Sequence, residues 1–194
     1  KKLGFDGIDI NMGCPDKSIE KQCAGAAMMK NSKLACEIIR AVKEGAKGLP
    51  VSVKTRIGYN KNVIETWIPE LLAEDIAVLT VHLRTRKEMS NVPAHWDLMK
   101  RILEIRDEIS PETLIIGNGD VLDLKDAEQK IKETGCDGVM LGRAIFGNPF
   151  LFANKNGLSE VEGQISIKQK LLVMVEHTKL FEEMLGVHKN FAIM

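Results

Sequence analysis

Short apolar runs recur along the chain, and most of them are followed by apolar residues at helical spacing. The runs begin near Phe5, Val51, Val78, Leu114 and Gly138. Apolar runs of about four to eight residues between turn residues are typical of buried β-strands, whereas spacings of three and four indicate helices. Strict alternation of the two predicts an α/β fold with a parallel sheet, either doubly wound or closed into a barrel.

Several helices have recognisable ends. A helix is predicted after Asn31, and Asp123 is placed to cap another. Residues 96–109 repeat apolar positions at helical spacing. Residues 64–72 also have a helical pattern, in which Pro69 predicts a kink or a break.

The pattern changes toward the C-terminus. Residues 154–163 are polar and contain glycine, after which Ser166 and Gln169 fit a capping box at the start of a helix. We therefore divide the chain into a sheet-containing part, residues 1–153, and the beginning of an appended helical domain, residues 154–194.

Composition and charge restrict the classes of function. The 194 residues carry 27 basic and 27 acidic side chains, so a polyanionic partner would need a local basic patch. No apolar run approaches the ~18 residues of a membrane span, and no membrane partner is expected. The cysteines form no C-x-x-C pair and have no histidine at ligand spacing, which argues against a metal site and favours a reducing cytoplasm. They are Cys14, Cys23, Cys36 and Cys136.

Polar, reactive or glycine residues follow all five apolar runs. The carboxyl ends of parallel strands meet at one edge of a sheet, where ligands bind, so we expect these residues to form one site. The candidates are Asn11, Cys14, Lys54, Arg56, His82, Arg84, Asn118, Asp120, Gly142 and Arg143.

Three of these side chains are candidates for chemistry. Cys14 is either a buried apolar cysteine or a reactive thiol, and its neighbours Asn11 and Gly13, which are poor core residues, favour the second interpretation. Lys54 is either solvated or placed to stabilise negative charge on a ring. His82 is either a core histidine or part of an anion-facing loop.

Two loops are candidates for binding a phosphate. Residues 117–120 and 142–143 are rich in glycine and follow the last two predicted strands. Backbone N–H groups at such turns and the guanidinium of Arg143 bind anions well, although the glycines can instead serve tight turns. The only basic patch, either a solvated surface or the rim of a site, consists of Arg56, Lys61, Arg84, Arg86 and Lys87.

Five motifs in order resemble the tRNA-dihydrouridine synthases, FMN-dependent barrel enzymes that reduce uridines in tRNA. The motifs are DINMGCP, VKTRIG, TVHLRTR, IIGNGDV and GVMLGRAIFGNP. The resemblance implies a partial (β/α)8 TIM barrel, about strands four to eight, with the three earlier strands missing from this sequence. It implies that the helix after Ser166 begins a C-terminal tRNA-binding domain.

The resemblance also implies roles for individual residues. Cys14 would protonate carbon 5 of the uracil while reduced FMN gives a hydride to carbon 6, with NADPH or NADH as electron donor. The other implied positions are Lys54 and His82 near the flavin ring, Asn118, Gly119, Asp120, Gly142 and Arg143 around its phosphate, Asn11 and Arg56 near the base, and Arg84 and Arg86 at the tRNA-binding rim.

Two departures from the family pattern bear on the choice of uridine. Leu83 stands where the family usually has a small residue, and residues 87–96 differ from the usual segment. The alternatives are an FMN barrel acting on free pyrimidines, similar to dihydroorotate dehydrogenase, and a non-catalytic RNA-binding barrel. Neither needs both the thiol and the basic rim.

Overall fold

A computed structural model of the chain describes residues 4–152 and 166–185. The chain divides into two compact units, Lys1–Arg143 and Ala144–Met194, and each is described here by itself. The predicted boundary after residue 153 and the polar loop over residues 154–163 lie outside the described residues.

The first unit is built on a parallel sheet of five strands whose spatial order follows the chain. Each strand pairs in parallel with the next one, which confirms the predicted α/β fold. The strands are β1 Ile8–Asn11, β2 Val51–Arg56, β3 Val78–His82, β4 Leu114–Asn118 and β5 Gly138–Met140.

Helices follow the strands, as the spacing of apolar residues predicts. In the first unit they are α1 Lys17–Glu20, α2 Ser32–Ala46, α3 Ile64–Leu72, α4 Met99–Ile109 and α5 Leu124–Thr134. Short 3₁₀ turns occupy Gly25–Lys30, Trp96–Leu98 and Arg143–Ile145, and the helix described in the second unit is α6 Ile167–Leu185.

The predicted helix ends are confirmed where the structure describes them. The side chains of Asn31 and Asp123 each accept a hydrogen bond from the backbone N–H three residues on, at 3.1 and 2.7 Å. Before α6, Ser166 Oγ accepts from Gln169 N at 3.2 Å, and Gln169 Oε1 accepts from Ser166 N at 2.8 Å. This exchange is the capping box.

Two helices differ from their predictions. The single helix expected over residues 96–109 starts as the 3₁₀ turn Trp96–Leu98 and becomes α-helical at Met99. Pro69 does not end α3, because the helix continues to Leu72.

The core lies between the central strands and the helices that cover them. Val53, Leu79 and Ile115 of the sheet and Ile68 and Leu71 of α3 have no solvent exposure. Burial of such side chains is the main source of stability, and it places the rigid part of the molecule directly under the ends of β2, β3 and β4.

The two outer strands are less buried than predicted. Within the described residues β1 pairs with β2 alone and β5 with β4 alone. Ile8 and Met140 are accordingly 36% and 37% exposed. The expectation of a buried strand beginning near Phe5 is wrong for this chain, since Phe5 is 67% exposed and precedes the strand.

None of the described helices is long and apolar enough to span a membrane.

Replacing Leu79 by alanine should destabilise the full-length protein by about 2–5 kcal/mol, because it leaves a cavity in a fully buried site. The matched control is Leu122→Ala, which removes the same atoms from a side chain that is 75% exposed and should cost less than about 0.5 kcal/mol. Chemical denaturation measures both. Equal losses would contradict the position of the core.

Candidate active site

The register of the parallel sheet brings the polar strand ends to one edge. Asn11 is the Cα partner of Lys54, Arg56 is that of His82, and His82 is that of Asn118. The prediction that these residues share an edge is therefore confirmed, because each pair of neighbours lies within one strand spacing.

The cysteine loop, residues 11–15, is fixed by its own first side chain. Asn11 Oδ1 accepts hydrogen bonds from the backbone N–H groups of Gly13 and Cys14, at 3.0 and 3.1 Å. The carbonyl of Cys14 accepts from the N–H of Ala26 at 2.8 Å. Cys14 is half-buried and its thiol is free of any disulfide. The backbone of this residue is thus held while its side chain stays accessible.

The side chain of Arg56 also holds the cysteine loop, by a hydrogen bond to its backbone. Its side chain is buried and donates to the carbonyl of Gly13 at 2.8 Å and to that of Thr85 at 3.2 Å. Burial, and then repulsion from Arg84, lower the pKa of Arg56. Of the two interpretations of the basic patch, the solvated surface is wrong for Arg56, because its guanidinium is buried and donates to backbone carbonyls.

Lys54 is a half-buried cation with no hydrogen-bond acceptor or ion-pair partner among the described residues. Burial, and then repulsion from Arg56, lower its pKa. The carboxylate of Asp9 offsets this lowering only in part. A partly desolvated cation that makes no hydrogen bond is costly, so the site is suited to an electron-rich or anionic ligand at this position.

His82 is held in one neutral form. Burial, and after it the positive charges of Arg56, Lys54 and Arg84, together lower the pKa of its imidazole to about 3. Nη1 of Arg84 lies 3.4 Å from Nε2 of His82. A guanidinium can only donate, so Nε2 accepts and the ring proton is on Nδ1. The neutral ring therefore has an N–H to offer to a ligand.

Arg84 and Arg143 meet on the carboxylate of Asp120. Arg84 is 2% exposed and donates from Nε to the carbonyl of Val92 at 2.6 Å and from Nη2 to Oδ2 of Asp120. Arg143 donates to Oδ1 of the same carboxylate at 3.1 Å. The hydrogen bond from Arg84 is the main reason that the pKa of Asp120 is lowered.

The basic rim is smaller than the sequence predicts. Arg84 lies inside the unit, paired with Asp120, and Arg86 makes a two-pronged pair with the carboxylate of Glu20. Both charges are therefore compensated within the chain. Lys61 and Lys87, the other predicted members, are exposed.

The glycines after β4 and β5 have different surroundings: Gly119 is closely packed, whereas Gly142 borders open space. Gly119 has a φ of 127°, and a Cβ there would lie 2.7 Å from the Cβ of Ala94, so no other residue fits without movement. A Cβ on Gly142 would meet no atom within 4 Å. Asn118 donates to the carbonyl of Met140 at 2.8 Å, which ties the two strand ends together.

No group of three or more His, Cys, Asp or Glu side chains that could hold a metal ion occurs in residues 4–152 and 166–185.

The family is decided by comparison with known proteins. The family model described as dihydrouridine synthase (Dus) matches residues 1–194. This chain belongs to the dihydrouridine synthase family. The resemblance of its five motifs to that family is thereby confirmed.

Relatives in the dihydrouridine synthase family include three named as probable tRNA-dihydrouridine synthases. The protein from Staphylococcus aureus is 50% identical over 152 residues, 78% of this chain and 46% of its own. The one from Staphylococcus epidermidis is 44% identical over 182 residues, 93% and 53% of the two chains. The protein from Bacillus subtilis, named probable tRNA-dihydrouridine synthase 2, is 47% identical over 152 residues, which are 78% of this chain and 46% of its own. The chain spans about half the length of the curated relatives it matches.

Among solved structures, a crystal structure of 2,3-dimethylmalate lyase matches with a TM-score of 0.43 and 11% identity, over 100% of this chain and 88% of that one. A likeness at this level carries no argument about fold or function.

Sequence reasoning missed Glu20 and Tyr59. Glu20 accepts hydrogen bonds from Arg86 and from the hydroxyl of Tyr59, and all three lie beside the cysteine loop. A glutamate in a helix of four residues gives no local signal of this role, because its partners are 39 and 66 positions away.

The state of His82 predicts a pH dependence of stability. An unfolded chain binds a proton at this histidine near pH 6.5, whereas the folded chain stays neutral down to about 3. Between these values the unfolded state binds more protons, so stability falls as the solution is acidified through this window.

The thermal midpoint of the purified full-length protein, measured from pH 7 to pH 4, should therefore fall more steeply in wild type than in His82→Asn. Because all other titrating groups are common to both proteins, their difference isolates the histidine. Parallel curves would contradict a neutral His82.

Proposed function

We propose that the full-length protein is a tRNA-dihydrouridine synthase, which reduces uridine in tRNA to 5,6-dihydrouridine with FMN and with NADPH or NADH as electron donor. The observation that supports the proposal most strongly is the set of side chains at the carboxyl edge of the sheet. There the accessible thiol of Cys14, on a fixed loop, lies with the half-buried ammonium of Lys54 and the neutral imidazole of His82. The family and the names of the relatives support the same activity.

The residues present fit a flavin. The unpartnered ammonium of Lys54 suits the electron-rich ring, and the Nδ1–H of His82 can donate to one of its polar atoms. The open space at Gly142 and the guanidinium of Arg143, which is 65% exposed, suit a phosphate. Asn118, Gly119 and Asp120 would form the remaining wall of that phosphate site.

Within the proposal, Cys14 is the general acid. Reduced FMN, when bound, supplies the hydride for carbon 6 of the uracil. Cys14 would donate the proton to carbon 5 from a loop that Asn11 and Arg56 hold in place. Within the proposal, Asn11 and Arg56 would therefore lie close to the base, as the resemblance implies.

We also propose that the five strands are the fourth to eighth of a (β/α)8 barrel and that α6 begins a C-terminal helical domain that binds tRNA. The exposed apolar residues of both outer strands support a sheet that continues further. Because tRNA is the proposed substrate, we expect the enzyme to act in the cytoplasm. The paired state of Arg84 and Arg86 leaves exposed lysines as the better candidates for contacts with tRNA phosphates.

Cys14→Ala in the full-length protein should keep FMN and its reduction by NADPH but slow dihydrouridine formation by roughly 10²–10⁴-fold, the usual contribution of a positioned general acid. The matched control is Cys23→Ala, which removes an exposed thiol and should leave the rate unchanged. Stopped-flow measurement of flavin reduction and of its reoxidation by tRNA separates the two half-reactions. Undiminished reoxidation in Cys14→Ala would overturn the assignment.

Arg143→Ala should lower the affinity for FMN roughly ten- to hundredfold, since a charge-assisted hydrogen bond to a phosphate contributes about 1.5–3 kcal/mol. Turnover at saturating FMN should change little. Arg101→Ala is the control, because that arginine is on α4 and pairs with exposed carboxylates. Titration of flavin-free protein by fluorescence gives both affinities. An unchanged Kd in Arg143→Ala would show that the phosphate lies elsewhere.

A further inference from the structure

We propose that Glu20 is a positioning residue for Cys14, acting through Arg86 and Tyr59. These three side chains are called here the Glu20 cluster. The proposal rests on the proposed function, in which Cys14 is the proton donor, and it reassigns Arg86 from a substrate contact to a support of the cysteine loop.

Both oxygens of the Glu20 carboxylate accept hydrogen bonds. Oε1 accepts from Arg86 Nε at 2.7 Å, and Oε2 accepts from Arg86 Nη2 at 2.7 Å and from the hydroxyl of Tyr59 at 3.1 Å. Two parallel N–H donors on one carboxylate fix orientation as well as distance. The side chains of Glu20 and Arg86 are 11% and 23% exposed, so solvent screens the pair less than it would an open surface pair.

The Glu20 cluster joins three segments that are far apart in the sequence. Glu20 lies in α1, directly after the cysteine loop, whereas Tyr59 follows β2 and Arg86 follows β3. The guanidinium of Arg86 also lies 5.3 Å from the centre of the Tyr59 ring, so the two partners contact each other as well as Glu20. Movement of α1 therefore requires that a charged pair and a hydroxyl contact break together.

The same arginine contacts the cysteine loop itself. Nη2 of Arg86 is 3.5 Å from the carbonyl of Pro15, a long contact that complements two shorter ones on the preceding carbonyls. Those two are the hydrogen bonds from Arg56 to Gly13 and from the N–H of Ala26 to Cys14. Three consecutive carbonyls around the thiol are thus approached by donors from three different segments.

A proton donor needs a fixed position relative to its substrate, and these contacts fix the backbone that carries the Cys14 thiol. A misplacement of about 1 Å in a reacting group can cost roughly a hundredfold in rate. If Glu20 loses its charge, the ion pair with Arg86 is lost, only the long contact to Pro15 still ties Arg86 to the cysteine loop, and α1 is released from the loops after β2 and β3. The thiol of Cys14 then samples more positions, while Lys54, His82 and the phosphate loops are untouched.

The experiment compares Glu20→Gln and Tyr59→Phe in the full-length protein, with Glu128→Gln as the matched control. Glu128 is an exposed carboxylate on α5, so its replacement makes the same chemical change without a contact to the loop. Four quantities are measured: flavin content, flavin reduction by NADPH, kcat and KM for tRNA, and the alkylation rate of Cys14 by iodoacetamide, followed by peptide mapping. Cys23, which is exposed, is the internal reference for alkylation.

For Glu20→Gln we expect kcat to fall roughly ten- to hundredfold, with KM for tRNA, flavin content and flavin reduction within about twofold of wild type. Tyr59→Phe, which removes one of the three hydrogen bonds, should give a smaller loss in the same direction. The alkylation of Cys14 relative to Cys23 should rise severalfold in Glu20→Gln, because the half-buried thiol becomes more accessible. Adding Arg86→Lys to Glu20→Gln should cause less loss than the sum of the two single changes, since both break the ion pair and only Arg86→Lys also alters the contacts to Pro15 and the Tyr59 ring.

Three results would overturn the proposal. In the first, kcat and Cys14 alkylation in Glu20→Gln match those of Glu128→Gln. In the second, flavin content and thermal stability fall together with activity, which would make the cluster a support of the fold alone. In the third, Arg86→Lys raises KM for tRNA without lowering kcat, which would make Arg86 a substrate contact. If wild type forms no dihydrouridine, the proposed function fails, whereas the alkylation comparison still decides whether Glu20 positions the thiol.

Discussion

The parallel register of the sheet is the constraint on which the site depends. Hydrogen bonding between β1, β2, β3 and β4 aligns Asn11 with Lys54, Arg56 with His82, and His82 with Asn118. A shift of one residue in any pair would turn every side chain of the shifted strand to the opposite face of the sheet. The fully buried core beneath these strand ends prevents that shift, so packing far from the chemistry sets which groups face a ligand.

Positive charge is concentrated at this edge and is divided into two kinds. Arg56 and Arg84 are buried and bound to carbonyls or to Asp120, so they shape loops and keep His82 neutral. Lys54 makes no such hydrogen bond among the described residues, so its ammonium can meet a ligand. The same residue types thus have different roles, and the difference lies in whether a carboxylate or carbonyl of the chain already uses them.

The sequence predicts what depends on near neighbours. Strand positions, the cap at Asn31, the cap at Asp123 and the capping box at Ser166 all follow from residues within a few positions of each other. The pairing of Arg84 with Asp120 and of Arg86 with Glu20 does not, because these partners are 36 and 66 residues apart and meet only when the sheet forms. An arginine-rich motif looks the same in sequence whether its charges are free or compensated.

The most direct test of the account is the reaction itself. The full-length wild-type protein is purified with FMN, supplied with NADPH and unmodified tRNA, and the nucleosides are then analysed by mass spectrometry. The account predicts that a specific uridine gains two hydrogen atoms and that the flavin is reoxidised as the product forms. A protein that binds and reduces FMN but leaves every uridine unchanged would contradict it.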